Sequence, residues 1–264
     1  MSDIEQTDFL KTQINDNVAY IVIDRPARKN AMTHAMWRQM THILRTLSED
    51  SSVRAVVLSG AGGDFCAGAD IGEFDTVRGD AAKARLYEAD NSATFAAIRD
   101  CPAPTIAMIS GICFGGGFGL AAACDIRMAS SDALFSVPAA KLGLAYPVDA
   151  MADIVHALGA QTAKYLTYSA ARLDAPAARE AGFLLDVVEP EALAARVGGL
   201  AATIAANAPL SVRASKASIR AVLSGLPADA EHATALGDAT FESEDYAEGR
   251  AAFRERRPAR FNGS

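Results

Sequence analysis

Residues 111–125 read Gly-Ile-Cys-Phe-Gly-Gly-Gly-Phe-Gly-Leu-Ala-Ala-Ala-Cys-Asp, and a short apolar run, residues 105–110, precedes them. The three adjacent glycines stand between a strand-like segment and a small-residue, helix-like segment. Glycine adopts backbone angles that other residues avoid and lets another chain segment or a ligand come close. A helix that begins here points its unpaired N–H groups and the positive end of its dipole outward. The stretch therefore indicates either a tight, closely packed turn or a place that holds an anion or a carbonyl oxygen.

The composition of the chain limits its classes of function. Half of the 264 residues are hydrophobic, which is enough for one large domain or for a core with a small appendage. The formal net charge of −7 argues against non-specific binding to nucleic acid or to an anionic membrane surface. Residues 1–11 are polar and acidic, and no uncharged apolar run reaches the roughly 18 to 20 residues of a membrane span. The four cysteines form no CxxC pair and accompany no histidine cluster, so we expect a reduced, cytoplasmic protein without a bound metal.

Apolar strands alternate with amphipathic helices through the first half of the chain. The pattern predicts strands at Val18–Ile23, 53–59, 105–110, 125–129 and 133–137. It predicts helices at 33–47 and 78–99, and from about residue 151 it is helical to the end, near 151–158, 160–168, 175–181, 191–206, 210–224 and 229–255. Such alternation predicts a mainly parallel sheet wrapped by helices, with the last third as a cap, an arm or an assembly surface.

A second glycine-rich segment, residues 60–71, follows the strand at 53–59. Because parallel strands end at the same edge of a sheet, this segment and the stretch at 111–125 are expected to emerge side by side. One backbone N–H group from each can then converge on a single oxygen, which is the geometry of an oxyanion hole. A dinucleotide site is the competing interpretation of glycines 115, 117 and 119, but their spacing does not match GxGxxG.

Motifs spread nearly end to end along the chain carry a resemblance to a known family. They are Arg25-Pro26 with Asn30-Ala31-Met32, residues 65–71, residues 104–111, Gly115-Gly116-Gly117, residues 124–129, residues 135–143, Phe241, Glu248-Gly249-Arg250, Ala252-Phe253 and Arg256-Arg257-Pro258. In these motifs the chain resembles the crotonase (enoyl-CoA hydratase/isomerase) superfamily. The resemblance implies an α/β fold, a spiral of ββα units over residues 1–200, followed by a helical C-terminal trimerisation or lid region at 201–264. It also implies homotrimers, often paired into hexamers.

The resemblance implies substrates that are thioesters of coenzyme A, with no permanently bound cofactor. Enzymes of the family hold the thioester carbonyl between two backbone N–H groups and stabilise an enolate; by position these donors are Ala69 and Gly116. The residues implied to line the CoA and thioester channel are Ala67, Asp70, Ile71 and Gly72. Arg25 and Lys29 lie where family members meet the CoA nucleotide and are candidate phosphate contacts, although a solvated turn residue is the alternative for each.

The chain departs from the family at two catalytic positions. Hydratases of the family use two glutamates to position and activate water, and the matching positions here are Gly119 and Ala139. Neither residue has a proton donor or acceptor in its side chain, which argues against hydration by the two-carboxylate route. The loss of two large side chains is also expected to widen the acyl pocket. Isomerisation, decarboxylation, thioester hydrolysis and binding of acyl-CoA without catalysis all stay open.

Three titratable side chains lie near the vacant glutamate positions, namely Lys141, Tyr146 and Asp149. Asp149 begins the predicted helix that runs to Leu158, and family members with a working aspartate nearby make it a candidate acid or base. Its alternative role is that of helix N-cap, which aspartate favours. Tyr146 is a candidate acid or hydrogen-bond donor facing the acyl group, and a partly buried core phenol is its alternative. Lys141 is interpreted as a surface residue.

Overall fold

Two sheets organise the described part of the chain, residues 8–264 of the computed structural model. Their strands are β1 (Leu10–Asn15), β2 (Val18–Ile23), β3 (Ala55–Gly60), β4 (Thr105–Ile109), β5 (Ile112–Phe114), β6 (Ile126–Ser130), β7 (Leu134–Ser136), β8 (Arg172–Asp174) and β9 (Asp186–Val188). The larger sheet has the order β1-β2-β3-β4-β6-β9, and the smaller has the order β5-β7-β8. In the larger sheet β1 runs antiparallel to β2 and every other neighbouring pair is parallel, so the predicted parallel sheet is confirmed.

Helices cover both faces of the larger sheet. They are α1 (His34–Glu49), α2 (Phe74–Val77), α3 (Ala81–Asp100), α4 (Gly116–Ala123), α5 (Val148–Ser169), α6 (Ala175–Glu180), α7 (Pro190–Ala206), α8 (Pro209–Ser224), α9 (Pro227–Thr240) and α10 (Glu244–Glu255). Short 3-10 helices lie at Pro26–Arg28, Ile71–Glu73 and Pro138–Leu142. One face of the sheet packs in the main core with α1, α3, α4 and α5, and the other packs against α7. A sheet buried on both faces explains why its inner strands β2, β3 and β4 are almost continuously apolar.

Side-chain caps set two helix starts within a few residues of those predicted. Thr33 accepts a hydrogen bond from the Met36 N–H at 3.2 Å and caps α1. The second long helix begins at Ala81, later than the predicted residue 78, because the Asp80 carboxylate accepts from the Lys83 N–H at 2.8 Å. Both caps satisfy N–H groups that have no partner within the helix.

The prediction of an all-helical segment after residue 151 is wrong in three places. The short strands β8 and β9 interrupt it, and β9 extends the larger sheet beside β6. The predicted helix at 229–255 is two helices, because Ser243 accepts from the Tyr246 N–H at 3.0 Å and starts α10 anew. Gly159, with a φ of 73°, has non-helical backbone and kinks α5 at the break predicted between residues 158 and 160, so that prediction is confirmed.

The chain turns sharply between α7 and α8, directly after residue 206, where the predicted helix at 191–206 ends. The two helices meet at 107°. Among the described residues no single helix has both the length and the apolar composition of a membrane span, although α7 and α8 reach both when counted together. The predicted boundary near residue 200 falls within α7, and the division into a core and a C-terminal region stays a prediction.

Candidate functional site

The two glycine-rich segments lie side by side, as the sequence predicts. Their strands, β3 and β4, are parallel neighbours. Beyond the sheet the two segments pair again, because the Cys66 N–H donates to the Ile112 carbonyl at 2.9 Å and the Phe114 N–H donates to the Cys66 carbonyl at 3.0 Å. These bonds hold the segment before Ala67 against the segment before the triple glycine.

Glycine is required where the two segments come closest. Gly68 has a φ of 100°, and a Cβ placed on it would lie 2.9 Å from the Phe114 carbonyl oxygen and 3.0 Å from the Gly116 nitrogen. A Cβ on Gly117 would lie 2.2 Å from the Cys66 carbonyl oxygen. Side chains at either position would force the two segments apart.

The amides of Ala69 and Gly116 meet at this contact. Gly116 is the first residue of α4 and follows Gly115, whose φ is 57°. The Ala69 nitrogen lies 3.6 Å from the position of a Cβ on Gly116. Among the hydrogen bonds within residues 8–264, neither of these two N–H groups donates to a protein acceptor. Two unpaired donors, one of them at a helix N-terminus, are therefore available to a ligand oxygen.

A cavity opens in front of these amides. Its loop side is formed by Ala67, Ala69, Ile71, Gly115 and Gly116. Its opposite wall is formed by Pro138, Ala139, Leu142, Leu144, Tyr146, Pro147 and Ala150. Phe74, Arg78, Glu88, Asn91 and Phe95 complete it from α2, α3 and the turn between them. The cavity is mostly apolar, with its polar groups grouped at the α3 wall.

Phe95 fills the space expected at Gly119, so the prediction of a pocket widened there is wrong. A Cβ on Gly119 would lie 2.7 Å from Cζ of Phe95 and 3.0 Å from Cε1. Gly119 is buried and is not among the lining residues of the cavity, whereas Ala139 does line it. The aromatic ring of α3 thus occupies the volume next to one of the two positions where the resemblance implies a glutamate.

Arg25 and Asp70 stabilise the loop that carries Ala69. The Arg25 guanidinium, whose side chain is only 18% exposed, forms a 2.6 Å ion pair with Asp70 and donates to the Ala31 carbonyl at 3.0 Å. Burial opposes ionisation of Asp70, but the hydrogen bonds from Arg25 and from the Gly72 N–H, with the charge of Arg25, leave its pKa lowered. The alternative of a solvated turn residue is therefore wrong for Arg25.

Lys29, by contrast, is exposed. Its side chain is 59% accessible, and its Nζ lies 3.7 Å from Asp64 Oδ2. Its backbone has a φ of 50°, in the left-handed region. Lys29 is therefore free to turn toward a phosphate that approaches from solvent.

The two candidate acid/base residues differ in position. Tyr146 lines the cavity, and its hydroxyl oxygen lies 3.6 Å from the position of a Cβ on Gly115. Burial and then the negative charge of Glu88 raise the pKa of Tyr146 well above its ordinary value, so its phenol keeps its proton at neutral pH. Asp149 is not among the lining residues, and its N-cap role is wrong because Pro147 holds that position in α5. Lys141 is exposed, as predicted.

The polar groups of the α3 wall were not predicted from the sequence. Glu88 and Asn91 are three residues apart and Phe95 follows four residues later, a spacing that places all three on one helix face. Arg78, just before α3, forms an ion pair with Glu88, and its guanidinium lies 4.7 Å and 4.2 Å from the ring centres of Phe74 and Tyr87. The helical spacing was the available signal. Within residues 8–264, no group of three or more His, Cys, Asp or Glu residues is placed to hold a metal ion.

Comparison with known proteins assigns the chain to a family. A family model described as enoyl-CoA hydratase/isomerase matches residues 13–264. The mitochondrial Delta(3,5)-Delta(2,4)-dienoyl-CoA isomerase of Mus musculus is 35% identical over 227 residues, which cover 82% of this chain and 69% of the relative. The short-chain-enoyl-CoA hydratase of Clostridium acetobutylicum is 33% identical over 248 residues, covering 91% and 92%.

Solved structures give the same assignment. An enoyl-CoA hydratase/carnithine racemase from Magnetospirillum magneticum superposes with a TM-score of 0.92 at 34% identity, covering 99% of this chain and 98% of the other. An enoyl-CoA hydratase from Bacillus anthracis gives a TM-score of 0.90 at 28% identity, covering 97% and 100%. The predicted crotonase fold with its helical C-terminal region is thereby confirmed, and the chain belongs to the enoyl-CoA hydratase/isomerase family.

Proposed function

We propose that this protein acts on thioesters of coenzyme A and stabilises an enolate between the N–H groups of Ala69 and Gly116. The observation that carries the proposal is that both amides lack a protein acceptor within residues 8–264 and border one cavity. Removal of a proton next to a thioester, or addition at its β carbon, puts negative charge on the carbonyl oxygen. Two fixed donors stabilise that charge without reorganisation, and loss of one such donor typically lowers the rate about 10²- to 10³-fold.

Isomerisation of a double bond in the acyl group is the reaction we place first. With Gly119 and Ala139 at the two glutamate positions, the pair of carboxylates that activates water is missing. A proton shift within the substrate needs one acid/base group and no water. The dienoyl-CoA isomerases among the relatives support this choice, and we expect hydration of 2-enoyl thioesters to be weak. Of the two candidate groups named from the sequence, Tyr146 is better placed than Asp149 because it lines the cavity.

The CoA nucleotide is proposed to lie near Lys29, with its pantetheine arm passing the loop at 67–72. The Arg25–Asp70 pair supports that arrangement by fixing the loop. Exposed apolar side chains on the α8–α9 hairpin, among them Ile219, Val222 and Leu223, favour burial against further copies of the chain. We therefore expect a homotrimer or a pair of trimers, which light scattering will detect as about three or six times the protomer mass.

The test compares Gly116→Pro with Gly116→Ala. Proline removes the N–H group, and the first position of a helix tolerates it. Alanine keeps the N–H group but introduces the same Cβ, about 2.9 Å from the Trp37 ring. A carbonyl-¹³C-labelled saturated acyl-CoA reports hydrogen bonding through its C=O stretching frequency, and 2-enoyl, 3-enoyl and malonyl thioesters report turnover.

We expect the wild type to lower the C=O frequency on binding and to turn over the 3-enoyl thioester. The Gly116→Ala variant should retain the frequency shift, and Gly116→Pro should lose it together with at least about 100-fold in rate. Equal shifts in all three proteins would contradict the two-amide site. A shift without turnover of any thioester would indicate a non-catalytic acyl-CoA binding protein instead.

A further inference from the structure

Arg78, Glu88 and Asn91 form a polar niche in the wall of the otherwise apolar cavity. Glu88 is the one carboxylate among the cavity-lining residues in the described part of the chain. Arg78 pairs with it, and its side chain is only 11% exposed between two aromatic rings. The Glu88 side chain is 30% exposed, so the pair is partly buried; such a pair is costly to desolvate, and it is weak evidence for stability alone. The niche therefore requires another explanation.

Two atoms of the niche have no hydrogen-bond partner within residues 8–264. They are Arg78 Nε and Asn91 Oδ1, and the Asn91 residue is 7% exposed. Buried polar groups without partners are rare in folded proteins, because each loses its hydrogen bonds with water and gains none in return. Both side chains border the cavity, so the atoms that complete their bonding are expected to belong to what enters it.

Tyr146 connects the niche with the two amides. Its hydroxyl oxygen lies 3.6 Å from a Cβ position on Gly115, the residue before Gly116. The charge of Glu88, a residue that lines the same cavity, also contributes to the raised pKa of the phenol. The Glu88 carboxylate, the Tyr146 phenol and the two amides therefore all line the same cavity.

We propose that Glu88 is the catalytic proton carrier of this enzyme and that Arg78 is its positioning residue. The inference rests on the proposed function, because it requires a thioester held by Ala69 and Gly116. Glu88, a carboxylate on α3, then takes the role of the two glutamates that the resemblance implies at positions 119 and 139. Tyr146 then acts as a neutral hydrogen-bond donor beside the acyl group.

The proton transfer balances with one carboxylate. In a 3-enoyl thioester, Glu88 takes a proton from C2, and the electron pair of the C2–H bond moves onto the thioester oxygen held by the two amides. The protonated Glu88 then returns the proton to C4, the double bond moves from C3–C4 to C2–C3, and the carboxylate is regenerated. Substrate and product are isomers, so no water or redox partner is consumed.

The electrostatic surroundings suit a base that works near neutral pH. Burial raises the pKa of Glu88, the charge and hydrogen bond of Arg78 oppose that rise, and Asp149 adds to it from α5. Tyr146 and Tyr87 also face it, and both carry strongly raised pKa values through burial, so both stay neutral. A carboxylate with an upward-shifted pKa is a stronger base than an exposed glutamate.

The experiment follows deuterium uptake from D₂O at C2 and C4 of a 3-enoyl-CoA thioester by mass spectrometry. It compares Glu88→Gln, Arg78→Met and Tyr146→Phe with a control, Glu231→Gln, which changes an exposed carboxylate on α9. The C=O frequency of bound thioester is measured for each protein, because it reports folding and the two-amide site without any proton transfer.

We expect Glu88→Gln to exchange about 10²- to 10⁴-fold more slowly than the wild type with an unchanged C=O shift, and Glu231→Gln to match the wild type. Since Arg78 lowers the pKa of Glu88, Arg78→Met should move the midpoint of the pH–rate profile to higher pH. Exchange that survives Glu88→Gln and disappears in Tyr146→Phe would overturn the inference while leaving the proposed function intact. Loss of the C=O shift in the wild type itself would overturn both.

Discussion

The contact between Gly119 and Phe95 predicts a measurable coupling between two buried positions. A methyl group added at Gly119 would have its carbon 2.7, 3.0 and 3.3 Å from three ring atoms of Phe95. Carbon atoms pack best at about 3.5 to 4.0 Å, so the ring would have to move by roughly 1 Å. Gly119 has an ordinary helical φ, and the ring contact is therefore the main obstacle to the substitution.

The expected magnitude follows from two opposing effects. Overpacking a core costs about 1 to 3 kcal/mol, and replacing glycine by alanine in a helix gains about 1 kcal/mol. Gly119→Ala in the wild type should therefore change the free energy of unfolding by about 0 to −2 kcal/mol. In a Phe95→Ala background the ring is gone, and the same substitution should stabilise by about 1 kcal/mol. Phe95→Ala alone should cost about 3 to 5 kcal/mol.

Urea unfolding of the four proteins completes a double-mutant cycle, provided that all are compared at one protomer concentration. The coupling energy should be about 1 to 3 kcal/mol, and the slope of the transition should stay constant. If Gly119→Ala has the same effect in both backgrounds within about 0.5 kcal/mol, the ring does not occupy the space next to Gly119 and the reasoning fails. The same contact predicts that glutamates introduced at positions 119 and 139 will support hydration only when Phe95 is also replaced by alanine.

Two further predictions concern charged groups. Burial outweighs the pairing of Asp153 with Arg99 and raises the pKa of Asp153 from 3.8 to about 6, so the folded state binds this proton more tightly than the unfolded state. The protonated Asp153 side chain favours folding at low pH, and this contribution is lost as the pH rises from about 4 through 6. The free energy of unfolding of Asp153→Asn should therefore increase relative to that of the wild type, on the order of 3 kcal/mol between pH 4 and pH 7. A difference between the two proteins in urea unfolding that does not change with pH would contradict this. Lys29→Ala should weaken binding of a CoA thioester about two- to fivefold at low salt, as measured by calorimetry. Binding of the matching pantetheine thioester should be unaffected, since that compound lacks the nucleotide. Equal losses of affinity for both compounds would remove Lys29 from the proposed phosphate site.

Long, periodic segments of the fold were predictable from the sequence, and most of the short strands were not. The face of α1 that carries Met36, Met40 and Leu44 is buried, as its spacing predicts. The strands β5, β8 and β9 each have three residues, too few to show a period of two. The edge strand β1 exposes five of its six residues and has no apolar pattern to detect. These strands form because they pair with other strands of the two sheets, and the sequence of each strand alone does not show that pairing.

The backbone part of the candidate site was also predictable, because glycine restricts where a chain can turn. Gly68 and Gly117 permit contacts of the two segments that a Cβ would prevent, and that requirement is visible in the glycine-rich sequence itself. The side chains that line the candidate site were less predictable than its backbone. The emptiness expected at Gly119 was inferred from that position alone, whereas the ring that fills it comes from α3, 24 residues earlier.

The polar niche could not be predicted from the sequence, because polar contacts with α1 set the rotation of α3 about its axis. The Trp37 Nε1–H donates to the Tyr87 hydroxyl at 2.9 Å, and the hydroxyls of Thr41 and Thr94 are 2.9 Å apart. Tyr87 and Thr94 are seven residues apart and so lie on one line along α3. Each residue turns the helix by about 100°, which directs the line beginning with Glu88 toward the cavity.

A sequence pattern that weighs only apolar residues assigns Glu88 and Asn91 to a solvated face, since glutamate and asparagine are mostly exposed in proteins. The hydrogen bonds between α1 and α3 reverse that assignment, because they turn a tyrosine and a threonine inward. The face with Phe95 then packs next to α4, and the polar residues on that face lie in the cavity wall. In this chain, therefore, the proposed oxyanion donors follow from local backbone requirements, whereas the proposed proton carrier depends on how one helix is rotated against its neighbour.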